Sequence, residues 1–141
     1  MGEYRHNIDA KGRMIIPSRF REELGEHFIL TRGLDGCLRT YTQDQWEAVM
    51  EQLKRLPSTK RETRMYIHML TSKAQECDLD SQGRILLTAA LIRESGIEKE
   101  CVVVGVADHV EIWAKERWDS YYEEASSSFE DVAEQLTEFL F

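Results

Sequence analysis

Along this chain, short apolar stretches broken by aspartate and glycine alternate with longer ones in which apolar residues recur every three or four positions. That rhythm predicts a mixture of strands and helices. Tyr4–Ile8 and Gln75–Leu79 read as short strands, each leading into an Asp-x-x-Gly turn (Asp9 to Gly12, Asp80 to Gly83). Strands Arg13–Ile16 and Arg84–Leu87 follow. In such a turn the aspartate accepts hydrogen bonds from the turn amides, and the glycine supplies the positive φ that closes the hairpin. Pro17 has the preset φ of a first helical position, and Thr88 stands at the matching point as an N-cap. Two short helices then end at Gly25 and Gly96. A second strand pair comes next each time: Phe28–Thr31 with Cys37–Tyr41, and Cys101–Val104 with Val110–Trp113. Their turns are Leu34-Asp35-Gly36 and Ala107-Asp108-His109.

The remaining segments have helical spacing. Thr42-x-x-Gln45 is a capping box for a helix to about Leu56, which Pro57 stops. Thr59-x-x-Glu62 predicts a second box and a helix to about Ser72, carrying Lys60, Arg61 and Arg64, with Lys73 after it. A helix from Lys115 to about Ala125 follows, and Ser128 is placed to cap a last one. In that last helix Phe129, Val132, Ala133, Leu136, Phe139 and Leu140 form a single apolar stripe. The stripe requires burial, first of all on its own module and otherwise on a neighbouring subunit.

The elements come in two copies. Residues 9–16 read DAKGRMII and residues 80–87 read DSQGRILL. One offset pairs Asp9 with Asp80, Gly12 with Gly83, Arg13 with Arg84, Phe20 with Leu91 and Gly25 with Gly96. After one inserted residue the register continues through Gly33 and Gly105, Tyr41 and Trp113, and Trp46 and Trp118. A repeat of this length predicts an α+β chain of two tandem pseudosymmetric βαβ-type modules, residues 1–53 and 74–125. Residues 54–73 form an inter-module helical segment, and 126–141 a C-terminal amphipathic helix. The paired aromatic positions favour core packing over base stacking.

Composition narrows the function. With 42% hydrophobic and 31% charged residues the chain is that of a globular protein. No apolar run approaches a membrane span and no leader-like apolar segment follows Met1, so a cytoplasmic location is expected. Cys37, Cys77 and Cys101 lack CxxC spacing, and the four histidines form no ligand pattern. They read as reduced thiols and ordinary histidines, and no metal or cofactor is expected. The net charge of −8 argues against nucleic acid only until its distribution is read. Arg5, Lys11, Arg13, Arg19 and Arg21 crowd the first 21 residues, whereas twelve acids from Glu98 onward face only Lys99, Lys115 and Arg117. A nucleic acid feels the field within a Debye length, about 8–10 Å, so a basic head with an acidic tail is compatible with binding it.

These features carry a resemblance. Two Asp-x-x-Gly-Arg motifs, the first within D-A-K-G-R-M-I-I-P, resemble those of the MraZ family across essentially the whole chain. Each module is similar to the AbrB/SpoVT swapped-hairpin domain. The resemblance implies a double-split (swapped-hairpin) β-barrel with peripheral helices, both halves supplied by one chain. It also implies a nucleoid-associated, non-enzymatic transcription regulator. Such a regulator forms a ring-like homo-oligomer and binds double-stranded DNA at promoter direct repeats upstream of the division and cell-wall gene cluster. Carried onto this sequence, the motif positions are Asp9, Lys11, Gly12 and Arg13, with Asp80, Gly83 and Arg84 in the second copy. Gln82 replaces Lys11 there and Thr88 replaces Pro17.

Chemistry assigns roles within the motifs. Arg13 and Arg84 follow a turn glycine, and their planar guanidinium suits a guanine edge or a phosphate. The competing role for each is a pair with its own aspartate. Asp9 and Asp80, with Gly12 and Gly83, organise the turns. Lys11 at the tip is expected on a phosphate, and Arg5, His6, Arg19 and Arg21 are weaker candidates. A shared-proton dyad of Asp9 and Asp80 would make an enzyme, but D-A-K-G and D-S-Q-G lack the required turn, and no substrate cleft is recognisable. A small-molecule substrate is therefore not expected. The remaining alternative is an antitoxin-like or scaffolding module that grips a protein partner.

Overall fold

The computed structural model describes residues 1–140, with side chains through Phe139. The first half contains β1 (Glu3–Asn7), β2 (Arg13–Ile15), α1 (Ser18–Leu24), β3 (His27–Arg32), β4 (Leu38–Thr42), α2 (Gln43–Lys54) and α3 (Arg61–Thr71). The second contains β5 (Gln75–Asp78), β6 (Arg84–Leu86), α4 (Ala89–Ser95), β7 (Glu100–Val106), β8 (His109–Ala114), α5 (Lys115–Ser127), α6 (Phe129–Gln135) and α7 (Thr137–Leu140). The architecture is α+β.

The strands form a six-stranded antiparallel sheet, ordered β1-β7-β8-β4-β3-β5, and a separate two-stranded ribbon of β2 and β6. The order is palindromic under exchange of the halves. Each half sends its first strand across: β1 pairs with β7, and β5 pairs with β3. The halves are therefore interlocked rather than laid side by side. The six-stranded sheet is open, with β1 and β5 as its edges.

One core serves both halves. Phe20, Phe28, Leu30 and Leu38 from the first pack with Ile85, Leu91, Val103 and Ile112 from the second. A smaller cluster of Cys37, Val102, Val104 and Trp113 lies beneath Trp118. The paired aromatics pack as their spacing predicts: Tyr41 with Trp46, and Trp113 with Trp118, both edge-on at 5.2 Å between ring centres. All three cysteines are buried and free.

Several local expectations need correction. Pro17 is the N-cap of α1 rather than its first residue, with ψ at 137°, and the helix begins at Ser18. The Thr42–Gln45 capping box forms with both bonds present, and Thr88 caps α4 through Leu91 N at 3.2 Å. The Thr59–Glu62 box does not form, because α3 starts later, at Arg61. Residues 57–60 instead make a turn closed by Lys60 N donating to Pro57 O at 3.2 Å. Ser128 places no side-chain bond on α6. Its own backbone (φ −107°, ψ 3°) is far from the extended conformation a capping hydroxyl requires. The last helix is also split at Leu136. Its apolar stripe is not buried on its own module, since Phe129, Val132, Leu136 and Phe139 are exposed. The Leu140 side chain lies outside the described residues.

Candidate nucleic-acid interface

Both Asp-x-x-Gly-Arg segments fold into the same turn. Asp9 Oδ1 accepts from Lys11 N and Arg13 N, each at 2.9 Å, and Gly12 N donates to Asp9 O at 3.0 Å. Asp80 Oδ1 accepts from Gln82 N at 2.9 Å and Arg84 N at 2.8 Å, with Gly83 N donating to Asp80 O at 3.0 Å. Gly12 and Gly83 take φ of +87° and +74°, a region costly for any residue with a Cβ. The second carboxylate oxygen then orients the arginine. Arg13 Nε donates to Asp9 Oδ2 at 2.8 Å, and Arg84 Nε donates to Asp80 Oδ2 at 2.9 Å. These donors, led by the arginine backbone N–H, hold both carboxyls below their ordinary pKa.

The pairing of each arginine with its own aspartate forms, and it uses only part of the guanidinium. Nε is spent on the aspartate, while among the described residues the Nη groups donate to no protein acceptor. Each aspartate binds its own turn and its own arginine rather than the other aspartate, so no carboxyl dyad forms.

The two turns brace each other. Ile16 N donates to Gly83 O and Leu87 N donates to Gly12 O, both at 2.9 Å. Between these bonds β2 and β6 run antiparallel, with Arg13 opposite Leu86 and Ile15 opposite Arg84. Strand alternation then sorts the side chains. Met14 and Ile85 point into the core, whereas Arg13, Ile15, Arg84 and Leu86 share the outer face. Ile15 is 40% and Leu86 58% exposed. As diagonal cross-strand neighbours, Arg13 and Arg84 stand roughly 7–8 Å apart. Lys11 is exposed at one turn tip, and Gln82 occupies the other. The outer face of the ribbon is therefore a narrow surface on which two arginines and two aliphatic side chains occupy alternate corners.

Not every expected residue joins it. Arg5 lies on β1 of the large sheet and bonds Glu3 at 2.8 Å and Asp119 at 2.9 Å. Arg21 braces the ribbon from behind: its Nε donates to Ile16 O at 2.7 Å and its guanidinium lies against Gly83. The sequence reading missed Ile15 and Leu86, although each stands two residues after a motif arginine and so shares its face. No group of three or more His, Cys, Asp or Glu side chains is arranged to hold a metal ion among the described residues. No described helix is long and apolar enough to cross a membrane.

Two strand-exchanged copies of one module, each presenting an aspartate-locked arginine on a shared ribbon, define a fused pseudodimeric hairpin protein. Residues 1–68 and 70–140 each match the model of the family described as "MraZ protein, putative antitoxin-like". The chain is also similar to a protein named transcriptional regulator MraZ from Ligilactobacillus salivarius (strain UCC118). The two are 48% identical over 139 residues, covering 99% of this chain and 97% of the relative. The chain belongs to the MraZ family.

Proposed function

We propose that this chain is a sequence-specific, double-stranded-DNA-binding transcription regulator whose reading surface is the β2–β6 ribbon. The observation that carries the reading is the outer face of that ribbon, where Arg13 and Arg84 stand as diagonal neighbours whose Nη groups donate to no protein acceptor among the described residues. Three-residue strands are about 10 Å long, and the major groove, about 12 Å wide, admits a two-stranded ribbon. Arg13 and Arg84 read base edges or phosphates, Ile15 and Leu86 meet thymine methyls, and Lys11 neutralises a phosphate. Asp9, Gly12, Asp80 and Gly83 hold the turns in place. Family membership and the name of the 48% identical relative support transcription regulation.

The finer reading follows from the same features. Exchange of first strands between the halves supports describing the fold as a double-split, swapped-hairpin barrel. One ribbon supplies few cations and the chain carries a net charge of −8, so affinity has to come from several ribbons acting together. That favours a homo-oligomer, and membership of the MraZ family supports reading it as ring-like, nucleoid-associated in the cytoplasm, and bound to promoter direct repeats upstream of the division and cell-wall gene cluster.

The test is salt-titrated fluorescence anisotropy with DNA from upstream of the protein's own gene. It compares wild type with Arg13→Ala and Arg84→Ala after circular dichroism shows all three folded. Tight wild-type binding that weakens with salt is expected, with each substitution costing about tenfold or more. A wild type that ignores this DNA at low salt would overturn the reading and move the partner-binding alternative forward.

A further inference from the structure

The last helices break the pseudosymmetry of the chain. α6 follows α5 as α3 follows α2, but only α3 returns to the sheet. Its Thr63, Ile67 and Leu70 face inward, and Thr31 Oγ1 donates to Leu70 O at 2.7 Å. The turn at Pro57 allows that return, whereas Ser128 alone separates α5 from α6. The stripe on α6 and α7 is consequently open, with Phe129 72% and Phe139 77% exposed. An uncovered row of large apolar side chains is unusual on a monomer and marks a contact surface.

A second open apolar surface lies on the outer side of α3. Met65, Tyr66 and Met69 are all exposed, and Tyr66 and Met69 line a groove of about 570 Å³. Arg32 and Arg39 enter the same groove. Arg32 pairs with Glu94. Arg39 lies 4.4 Å above the Tyr41 ring, and its buried Nε has no hydrogen-bond partner among the described residues. A buried guanidinium N–H without an acceptor is costly, so the groove is incomplete as it stands.

The stripe is acidic: it runs beside Glu130, Asp131, Glu134 and Glu138, and no lysine or arginine follows Arg117. The exposed side of α3 is basic, with Lys60, Arg61 and Arg64 against Glu62, while the groove itself holds both signs, Asp35, Glu94 and Glu111 beside Arg32 and Arg39. We infer that the α6–α7 stripe of one chain docks on α3 and its groove in a second copy, head to tail. The occupant is another copy because the complementary apolar and charged partners are both present, and both uncovered, on this one chain. A contact between two different surfaces repeats from subunit to subunit and closes into a ring when the rotation permits. This rests on the oligomeric reading above and supplies the joint that reading requires.

Leu136→Asp breaks the stripe and Met69→Asp breaks the groove; both side chains are exposed, so circular dichroism should stay native. Sedimentation velocity at tens of micromolar, without DNA, reads assembly. Wild type is expected to form multi-subunit species, and each variant to raise the half-assembly concentration by about tenfold or more. Mixing the two variants is expected to give a discrete two-chain species, because one intact stripe still meets one intact groove. A monomeric wild type, unaltered assembly in either variant, or a mixture that remains monomeric would each overturn the inference. DNA plays no part in this measurement, so a failure of DNA binding leaves it standing, and its own failure leaves the ribbon reading intact.

Discussion

The Thr40 hydroxyl joins the two halves of the chain at Val110, donating to Val110 O at 2.9 Å and accepting from Val110 N at 3.1 Å. Regular pairing at this central seam is brief, with only Leu38 opposite Ile112 and Arg39 opposite Glu111. Thr40 is fully buried and extends the seam by one residue. Thr40→Val keeps the shape but leaves both Val110 backbone groups without that partner. It is expected to cost about 1–3 kcal/mol. Calorimetry should show a lower Tm for Thr40→Val and a largely preserved one for Thr40→Ser.

Asp9→Asn tests whether the aspartate orients Arg13. The amide retains an oxygen for the turn N–H groups but loses the charged acceptor for Arg13 Nε. The fold is expected to persist while DNA affinity falls several-fold, less than for Arg13→Ala. Equal affinity for Asp9→Asn and wild type would remove the positioning role.

Acid should loosen the same turns. The folded pKa values of Asp9 and Asp80 lie below the ordinary 3.8, so their contribution is fully present above about that pH. It is lost as pH falls through the lower folded values. Hydrogen-bond-sensitive NMR shifts of the Arg13 and Arg84 Nε–H groups should be flat from pH 5 upward and change only below 3.8. A transition near neutrality would contradict this.

Gly83→Ala places a Cβ in a left-handed conformation and directly against the Arg21 guanidinium. The backbone penalty alone is about 1–2 kcal/mol. Displacing Arg21 also endangers its bond to Ile16 O. Thermal unfolding should show the loss, and Arg21→Ala in the same background should recover the part due to the clash.

The cysteines should be inert in the native protein. Burial pushes the Cys37 and Cys77 thiols up to about 12 and Cys101 to about 11. Thiolates are therefore scarce at pH 8, and alkylation should proceed only as fast as the chain opens. Rapid modification of the folded chain by a thiol reagent would contradict the packing around them.

Much of this was legible in the residues. The Asp9/Asp80 and Gly12/Gly83 spacing encodes turns whose hydrogen bonds are local, and local chemistry reads directly from sequence. Thr42 and Gln45 are legible for the same reason. Strand exchange was not. Tyr4 and Gln75 carry no mark of which half they join, because partner choice is decided by the shared core. That arrangement entered the sequence reading only through the family resemblance. The outer face of the ribbon was obscured because Arg-Met-Ile-Ile and Arg-Ile-Leu-Leu lack alternation after the arginine, so nothing in the pattern sets Ile15 and Leu86 apart from their buried neighbours. Thr59 and Ser128 had capping composition, but a cap also requires the backbone to turn at that residue. At those two positions it does not.

Joining the halves covalently has a consequence for symmetry. A dimer of identical chains is bound to present two identical hairpins, and symmetric readers favour palindromic sites. In this chain the hairpins are separately encoded, so Lys11 faces Gln82 across the pseudo-two-fold axis and Pro17 faces Thr88. The shared core preserves the pairing while the tips diverge. On the proposed function, the ribbon therefore has a direction. It distinguishes one orientation of an asymmetric target from the other, as a surface stepping along direct repeats has to do.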